Sequence, residues 1–216
     1  MARGYYPLVS IITPTWRRPE LIDETIEHVR EQTYRPLEHV IISDGPDSAL
    51  RDRCVEETLE ALAPHYAERY VPLRMVELGA NWSSILPDSF CAAPLTVGML
   101  VARGECQMWL ADDERMTADH VSQLIAALGE HDADFAYSRT EMYYASDPGR
   151  RWIIGTDPPR CGEITNVLYR TDLLRQGLYQ FGAGMTSDWA TISHWQSRGA
   201  RHAFVDAVTL THRADH

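Results

Sequence analysis

The stretch Val9–Glu20, which reads VSIITPTWRRPE, decides the fold of this chain. Its first residues belong to the run Leu8–Thr13, which is apolar or β-branched except at Ser10 and predicts a buried strand. Thr13–Thr15 then gives a loop signal, and Pro19 suits the first turn of a helix because its missing N–H costs nothing there. The stretch therefore predicts a strand, a loop and a helix in immediate succession.

The same alternation continues through the first half of the chain. Val40–Ile42 predicts a second buried strand, Leu73–Leu78 a third and Gln107–Ala111 a fourth. Helical patterns separate them, and the helix after the second strand has an apolar stripe predicted to face inward, formed by Leu50, Cys54, Val55, Leu59 and Leu62. This order predicts an α/β fold with a mainly parallel central sheet flanked by helices on both faces.

The pattern changes near Asp134, where strands and shorter helices replace the regular alternation. Phe135–Tyr144 and Trp152–Ile154 are strand-like, and two more strands are predicted at Ala203–Val205 and Val208–Thr211. This change of pattern indicates that the second half forms a different region of the same domain and not an independent domain.

Length and composition limit the classes that remain. With 216 residues, of which 44% are hydrophobic, the chain can form one domain with a sizeable core. We predict a single domain over residues 1–216, with a larger part over about 1–133 and a smaller part over about 134–216. The formal net charge of −11 disfavours nucleic acid and anionic lipid as partners.

Targeting signals and cysteine spacing point to the interior of a cell. Met1–Tyr6 does not resemble a signal peptide, and no run of 18 apolar residues predicts a membrane span. The four cysteines lack CxxC spacing, which predicts free thiols in a reducing compartment rather than a zinc site. We therefore expect a cytoplasmic protein.

Three predicted strands end in residues that suit a phosphate-bearing ligand: Thr13–Trp16, Ser43–Gly45 and Asp112–Glu114. Ligands of an open parallel sheet bind beyond the carboxyl ends of its strands, so we expect all three ends to share one rim. An aromatic ring, a carboxylate and an acidic cluster at one rim suit a nucleoside diphosphate and its metal ion.

The acidic triplet Asp112–Glu114 is the most informative of these ends. Three adjacent carboxylates repel one another unless a cation or a positive group compensates. Mg²⁺ and Mn²⁺ prefer carboxylate and phosphate oxygens, so one or two of these side chains and a diphosphate would complete a site. The triplet also precedes a helix, whose N-terminus favours negative charge. By itself it leaves both interpretations open.

The ordered combination of motifs resembles the family 2 inverting glycosyltransferases, which have the nucleotide-sugar-binding GT-A fold. The segments that carry this resemblance are Val9–Glu20, Val40–Asp47 (VIISDGPD), Ala102–Glu105 (ARGE), Trp109–Glu114 (WLADDE) and Thr186–Trp189 (TSDW). The sequence departs from the common family pattern at Ala111, where that pattern has Asp, and at Ser187, where it has Glu. The resemblance extends over about residues 8–212.

The resemblance implies a donor site in the larger part of the chain. Its implied residues are Pro14, Thr15, Trp16, Arg18, Asp44, Arg103, Asp112 and Asp113. Trp16 would stack on the nucleobase, and Asp44 would contact the base or the ribose. The two arginines are candidates for diphosphate or base contacts, because the guanidinium fork suits phosphate oxygens.

A divalent cation, Mn²⁺ or Mg²⁺, is the implied cofactor. Asp113 would bind it, and Glu114 is a candidate second ligand because Ala111 shortens the acidic motif. His212 is a further candidate, since neutral imidazole ligates divalent metals well. A solvated histidine near the chain end is the alternative for that residue.

Asp188 is the implied general base, placed in the acceptor-side part of the chain. It would take the proton of the acceptor hydroxyl as that oxygen attacks the anomeric carbon opposite the diphosphate. The carboxylate could also cap the helix Trp189–Ser197, and the two roles are compatible.

The sequence thus predicts a metal-dependent inverting glycosyltransferase that uses a nucleoside-diphosphate sugar, with a UDP-sugar favoured, and a hydroxyl acceptor. A nucleotidyltransferase of the same fold is one alternative, although the Gly-rich loop that should follow the first strand is missing. A catalytically inactive nucleotide-sugar-binding module is another. The donor sugar, the acceptor and a homodimeric state are left open.

Overall fold

A computed structural model of the chain describes residues 6–61, 70–86, 91–147, 149–177 and 187–215. Within these ranges the elements are, in chain order, β1 (Val9–Thr15), α1 (Pro19–Arg30), β2 (Leu37–Ser43), α2 (Ser48–Ala61), β3 (Leu73–Glu77), α3 (Trp82–Ile85), α4 (Ala92–Val101), β4 (Cys106–Trp109), β5 (Glu114–Met116), α5 (His120–Glu130), β6 (Phe135–Tyr143), β7 (Arg151–Ile154), β8 (Leu168–Arg170), a 3₁₀ helix (Thr171–Gln176), α6 (Ser187–Ser197) and β9 (His202–Arg213). The predicted α/β class is confirmed.

The described strands form one sheet in the order β3-β2-β1-β4-β8-β6-β9-β5, and β7 pairs with Thr140–Tyr143 of β6, on the edge that β8 occupies at Phe135–Ala136. Strands β1 to β4 are mutually parallel neighbours, as predicted. The second half is mixed, because β8 runs antiparallel between β4 and β6, and β5 and β7 also pair antiparallel. The sheet therefore continues across residue 134 without a break.

Alternation along the strands divides the core into layers on the two faces of the sheet. In β1, Ile11 belongs to one buried cluster, which includes Val121 and Leu124 of α5. The next residue, Ile12, belongs to another cluster with Leu95 of α4. Successive strand residues point to opposite faces, so one continuous apolar run can serve both layers.

Helix α1 forms as its sequence predicts. It begins at Pro19, in the first turn, and it buries Ile22, Ile26 and Val29 on one face. Full burial of each such side chain contributes roughly 1.5–3 kcal/mol. This packing holds the β1–α1 loop against the end of the sheet.

The apolar stripe predicted for α2 is partly wrong. Leu50 and Cys54 are buried, but Val55 and Leu59 are 53% and 63% exposed. The buried face continues instead through Glu57, which forms ion pairs with Arg30 of α1 and with Arg53 one turn earlier. Glu57, seven residues after Leu50, therefore lies on the buried face of α2, although the apolar pattern did not include it. Leu62 lies outside the described residues.

Strand β5 was not predicted, and the two strands predicted near the end of the chain are one strand, β9. In β5 only three residues are extended, too few to show a period. β9 runs through both predicted segments, with register shifts opposite Ser138–Thr140 of β6. The β5–β9 pairing sets Glu114 directly opposite His212.

Two further observations bear on the sequence predictions. All four cysteines are free thiols, as their spacing predicted. No helix in the described part of the chain is both long and apolar enough to cross a membrane.

Candidate active site

The carboxyl ends of β1, β2 and β4 meet at one rim. Thr15 pairs with Ser43 in the sheet register, and Ile12 pairs with Trp109. The connection is extended by a backbone hydrogen bond, in which the Asp44 N–H donates to the Thr15 carbonyl over 2.9 Å. The three sequence-distant ends thus lie together, which places their polar side chains around a common space.

Asp112 is held at this rim by side chains from β1 and α1. The Thr15 hydroxyl donates to Asp112 Oδ2 over 2.6 Å, and an Arg18 guanidinium N–H donates to Oδ1 over 3.0 Å. The Thr25 hydroxyl donates to the Asp112 carbonyl over 2.9 Å. Burial raises the pKa of Asp112, and the hydrogen bond from Thr15 and the charge of Arg18 only partly offset this. Its carboxylate is therefore fixed in orientation.

Asp113 lies beside Asp112 and is close to the same arginine, Arg18. Arg18 NH1 is 3.5 Å from Asp113 Oδ2, so one guanidinium faces two carboxylates. The Asp113 residue is buried, whereas the Arg18 side chain is 44% exposed. With Glu114 next in the chain, the local charge stays negative, and such an excess attracts a further cation.

Glu114 and His212 form a buried acid–histidine pair across the β5–β9 rung. His212 Nδ1 lies 3.0 Å from Glu114 Oε1, and the Ala111 N–H donates to Oε2 over 2.8 Å. Burial raises the pKa of Glu114 despite these contacts. Burial alone would lower the pKa of His212, but the hydrogen bond and charge of Glu114, with the charges of Asp113 and Asp188, raise it.

Asp188 belongs to the same electrostatic environment. It is the second residue of α6, and its Oδ1 accepts the N–H of Trp189 over 2.8 Å, so it sits in the first helical turn. Its charge raises the pKa of His212. It also contributes to the raised pKa of the Cys91 thiol, about 12, for which burial is the main cause and Asp112 and Glu114 are further causes. Asp188 and the acidic triplet therefore act on the same two side chains.

Trp16 and Asp44 occupy the rim beyond β1 and β2. A Cβ on Gly45 would lie 2.8 Å from the Trp16 ring, and Gly45 has φ +131°, so only glycine fits here without strain. The Arg17 guanidinium lies 4.5 Å from the Trp16 ring centroid. Neither Arg17 nor Gly45 was predicted as a site residue, although the Ser43–Asp44–Gly45 turn pointed to the glycine.

The Asp44 carboxylate anchors the helix α3. Its Oδ1 accepts the Trp82 N–H and its Oδ2 accepts the Ser83 N–H, each over 2.9 Å. A carboxylate has about four lone-pair sites, so it can accept further bonds from a ligand while it holds the helix. Asp44 therefore connects the rim to the segment after β3.

The remaining predicted residues are placed differently. Pro14 is the sixth residue of β1, in register with Ile42 at the same rim. Arg103 lies at the opposite ends of the strands, near the amino-terminal residues of β1 and β2. Its backbone N–H donates to Oε1 of Glu38, the second residue of β2, over 2.7 Å. The structure does not bring Arg103 together with the other predicted residues. Thr186 lies outside the described residues.

The described residues contain no group of three or more His, Cys, Asp or Glu side chains arranged to hold a metal ion. The donor set still fits a hard cation, because Asp113 and Glu114 offer carboxylate oxygens and His212 offers a ring nitrogen.

Comparison with solved structures defines the class of this fold. The mannosyltransferase PcManGT from Pyrobaculum calidifontis, solved with GDP-Man and Mn²⁺, superposes with a TM-score of 0.72 at 19% identity, over 98% of this chain and 58% of that one. TarS 1-349 of S. aureus, solved with UDP-GlcNAc, gives 0.72 at 17% identity, over 96% and 59%. The chain has the GT-A glycosyltransferase fold.

Comparison of sequences finds similarity to glycosyltransferases over part of the chain. The model of Glycosyl transferase family 2 matches residues 10–82. The uncharacterized glycosyltransferase YwdF of Bacillus subtilis is 25% identical over 134 residues, which is 62% of this chain and 42% of that protein. One from Rickettsia bellii is 26% identical over 126 residues, 58% of this chain and 16% of that protein. The family model thus matches the amino-terminal part of the chain, and the chain spans less than half the length of these relatives.

Proposed function

We propose that this chain is an inverting, metal-assisted glycosyltransferase that moves a sugar from a nucleoside-diphosphate sugar, with a UDP-sugar favoured, to a hydroxyl acceptor. The observation that carries the proposal is the arrangement at the rim, where Arg18 contacts Asp112 and Asp113, and where His212 from the second half of the chain lies 3.0 Å from Glu114. Asp113 and Asp188 come from opposite halves of the chain, and in this proposal the metal ion lies beside the first and the acceptor beside the second. A cation-binding acid on one side and a proton acceptor on the other suit group transfer between them.

The donor would bind along the ends of β1 and β2. Trp16 would stack on the nucleobase above the loop of Pro14 and Thr15, and Asp44 would accept a hydrogen bond from the base or ribose. Arg18 forms ion pairs with Asp112 and Asp113, and its guanidinium would contact the diphosphate at the same point. Asp112, fixed by Thr15, would face the ribose or the sugar.

Asp113 would hold Mn²⁺ or Mg²⁺, with Glu114 or His212 as a further ligand. When bound, such a cation neutralises the charge that develops on the departing diphosphate. Phosphate oxygens of the donor would complete the coordination of this cation. Arg18 contributes a second positive charge on the same side.

Asp188 would act on the face of the sugar opposite the diphosphate. The acceptor oxygen forms a bond to the anomeric carbon while the bond from that carbon to the diphosphate oxygen breaks. The acceptor proton passes to the Asp188 carboxylate, and the electron pair of the broken bond leaves with the diphosphate. One displacement inverts the anomeric configuration.

Ligands of the structural neighbours support the donor class. TarS 1-349 has been solved with UDP-GlcNAc and PcManGT with GDP-Man and Mn²⁺. Both ligands are nucleoside-diphosphate sugars, and one is accompanied by a divalent cation. Because these proteins share the fold at less than 20% identity, they guide the choice of ligands to test.

The test is a thermal-shift screen of UDP-, GDP- and dTDP-sugars, each with and without Mn²⁺. A ligand that binds only the folded chain raises its melting temperature, so one nucleotide should stabilise it in a Mn²⁺-dependent way. The matched variant Asp113→Asn should lose the Mn²⁺-dependent part. If no nucleotide sugar shifts the transition, the proposal is wrong. If one shifts it but is never turned over, the chain is a binding module.

A further inference from the structure

A row of paired residues across four neighbouring strands, here called the rung, connects the Glu114–His212 pair to the surface. Glu114 of β5 is in register with His212 of β9, His212 with Met142 of β6, and Met142 with Trp152 of β7. Paired residues of neighbouring strands project from the same face. Strands lie about 4.8 Å apart, so Trp152 is two strands, or roughly 10 Å, from His212. The rung therefore leads from the proposed reaction centre to the edge of β7.

An aromatic pair lies at the outer end of this rung. The Tyr144 and Trp152 ring centroids are 5.4 Å apart at an interplanar angle of 39°. Trp152 is 38% exposed and Tyr144 is half-buried. The Arg150 guanidinium lies 4.3 Å from the Tyr144 ring centroid. These three side chains form what we call the hairpin platform, on the strands and turn of β6 and β7.

The hairpin platform lies on the side of the site that the donor does not use. The proposed donor residues belong to β1, β2 and the segments after β1 and β4, whereas the platform lies at the β7 end of a rung whose other end is Glu114, the residue after Asp113. His212 lies between the two ends of this rung. A molecule seated on the platform would thus approach the reaction centre from the end of the rung opposite the acidic triplet.

The chemistry of the platform fits a sugar ring. The carbon-bound hydrogens of a pyranose form an apolar face that packs on an aromatic ring, and its rim of hydroxyls accepts hydrogen bonds from a guanidinium. Trp152 and Tyr144 offer the rings and Arg150 the donors. Pockets for such ligands combine an apolar surface with a few polar groups that fix orientation.

We propose that Tyr144, Arg150 and Trp152 bind the acceptor, and that the acceptor is a saccharide whose ring stacks on Trp152. This inference rests on the proposed function and adds the substrate class of its second subsite. The saccharide would extend along the rung from Trp152 and present a hydroxyl near His212, for the proposed base Asp188.

The experiment measures nucleotide release from the donor that stabilises the protein, in the presence of cellotetraose, chitotetraose, maltotetraose or xylotetraose. At least one of these should accelerate release above the rate with water alone. Trp152→Ala should raise the KM for that saccharide about tenfold and leave the donor KM unchanged, because loss of ring stacking affects only acceptor binding. Trp152→Phe, which keeps a ring, should recover most of the loss.

Ile153→Ala is the matched control. Ile153 is 55% exposed and is the next residue on β7, so its side chain projects from the other face of the same hairpin. It should leave both KM values as in the wild type.

Three outcomes would overturn the assignment of the platform. These are an unchanged acceptor KM in Trp152→Ala, an equal rise in Ile153→Ala, and no acceleration by any of the four saccharides. If the donor shift in melting temperature persists in these cases, only the platform is wrong. If no donor shifts it at all, the proposed function fails first.

Discussion

The two sides of the candidate site, the proposed donor side and the proposed acceptor side, are built in different ways. On the donor side, buried carboxylates are fixed by several partners each, as in the contacts of Asp112 with Thr15 and Arg18. On the acceptor side, Trp152 and Tyr144 touch each other and remain partly open to solvent. A diphosphate and a cation need preorganised charges, since their binding depends on orientation in a site of low dielectric. A stacking surface needs only a ring in the right place.

The largest expected effect tests whether the two sides work as one site. Asp188→Asn should lower kcat by about 10²- to 10⁴-fold, because the variant cannot accept the acceptor proton. Nucleotide-induced stabilisation should be kept, since Asp188 faces the acceptor. The measurement is steady-state transfer with the donor identified by thermal shift. Asp172→Asn, an exposed carboxylate paired with Arg175, is the control and should be silent. Full activity of Asp188→Asn would remove Asp188 from the mechanism.

A second substitution, Gly45→Ala, perturbs the backbone of the proposed donor side. Gly45→Ala forces a side chain into a left-handed conformation and against Trp16, so we expect a loss of roughly 2–4 kcal/mol in the free energy of unfolding and weaker nucleotide binding. Gly199→Ala is the control, because Gly199 also has a positive φ, +91°, but no atom lies near its added Cβ. Urea denaturation of both variants separates contact from strain. Equal losses would mean that the Trp16 contact contributes nothing.

A third change sharpens the comparison by removing one bond of the donor side. Thr15→Val keeps the shape but leaves Asp112 without its 2.6 Å hydrogen bond, which should reduce the free energy of unfolding by about 1.5–3 kcal/mol. The donor KM should rise as well, because the carboxylate is no longer oriented. Thr33→Val, which removes an exposed hydroxyl contact with Ser122, should change neither quantity. A donor KM equal to the wild-type value would show that Asp112 needs no such support.

The smallest effect expected at neutral pH is that of His39 in the parallel half, which appears only as a pH dependence. Burial, with the nearby charge of Arg30, lowers the pKa of His39 from 6.5 to about 3. The unfolded chain binds a proton there below pH 6.5, while the folded chain does not until about pH 3. The contribution of His39 to the free energy of unfolding is therefore fully present above pH 6.5. It decreases as the pH is lowered, by at most about 1.4 kcal/mol per pH unit for this group. His39→Gln should reduce the slope of unfolding free energy between pH 6 and 4; an unchanged slope contradicts the assignment.

The fold could be predicted wherever a physical signal was long enough to read. The apolar run of β1 and the proline at the start of α1 specify both elements locally. Strand β5 could not be predicted, because three residues show no alternation and its pairing with β9 depends on a segment about a hundred residues away. The burial of Glu57 could not be predicted either, since it depends on Arg30 from another helix.

The candidate site followed the same rule. The three strand ends could be placed at one rim because parallel strands share their carboxyl edge. Arg103 was selected by resemblance alone, and its position before β4 puts it at the opposite edge. His212 was proposed as a ligand from its chemistry, but its contact with Glu114 arises only from the β5–β9 register. Local pattern gives strand ends; the pairing of distant strands decides which side chains touch.

The pairing of β5 with β9 has a consequence for synthesis of the protein. Glu114 and His212 are separated by 98 positions, so a nascent chain carries the whole acidic triplet long before the histidine emerges. Until β9 is added beside β5 and β6, Glu114 has no His212 imidazole to contact. The buried carboxylate therefore gains this partner only after about a hundred further residues have been synthesised.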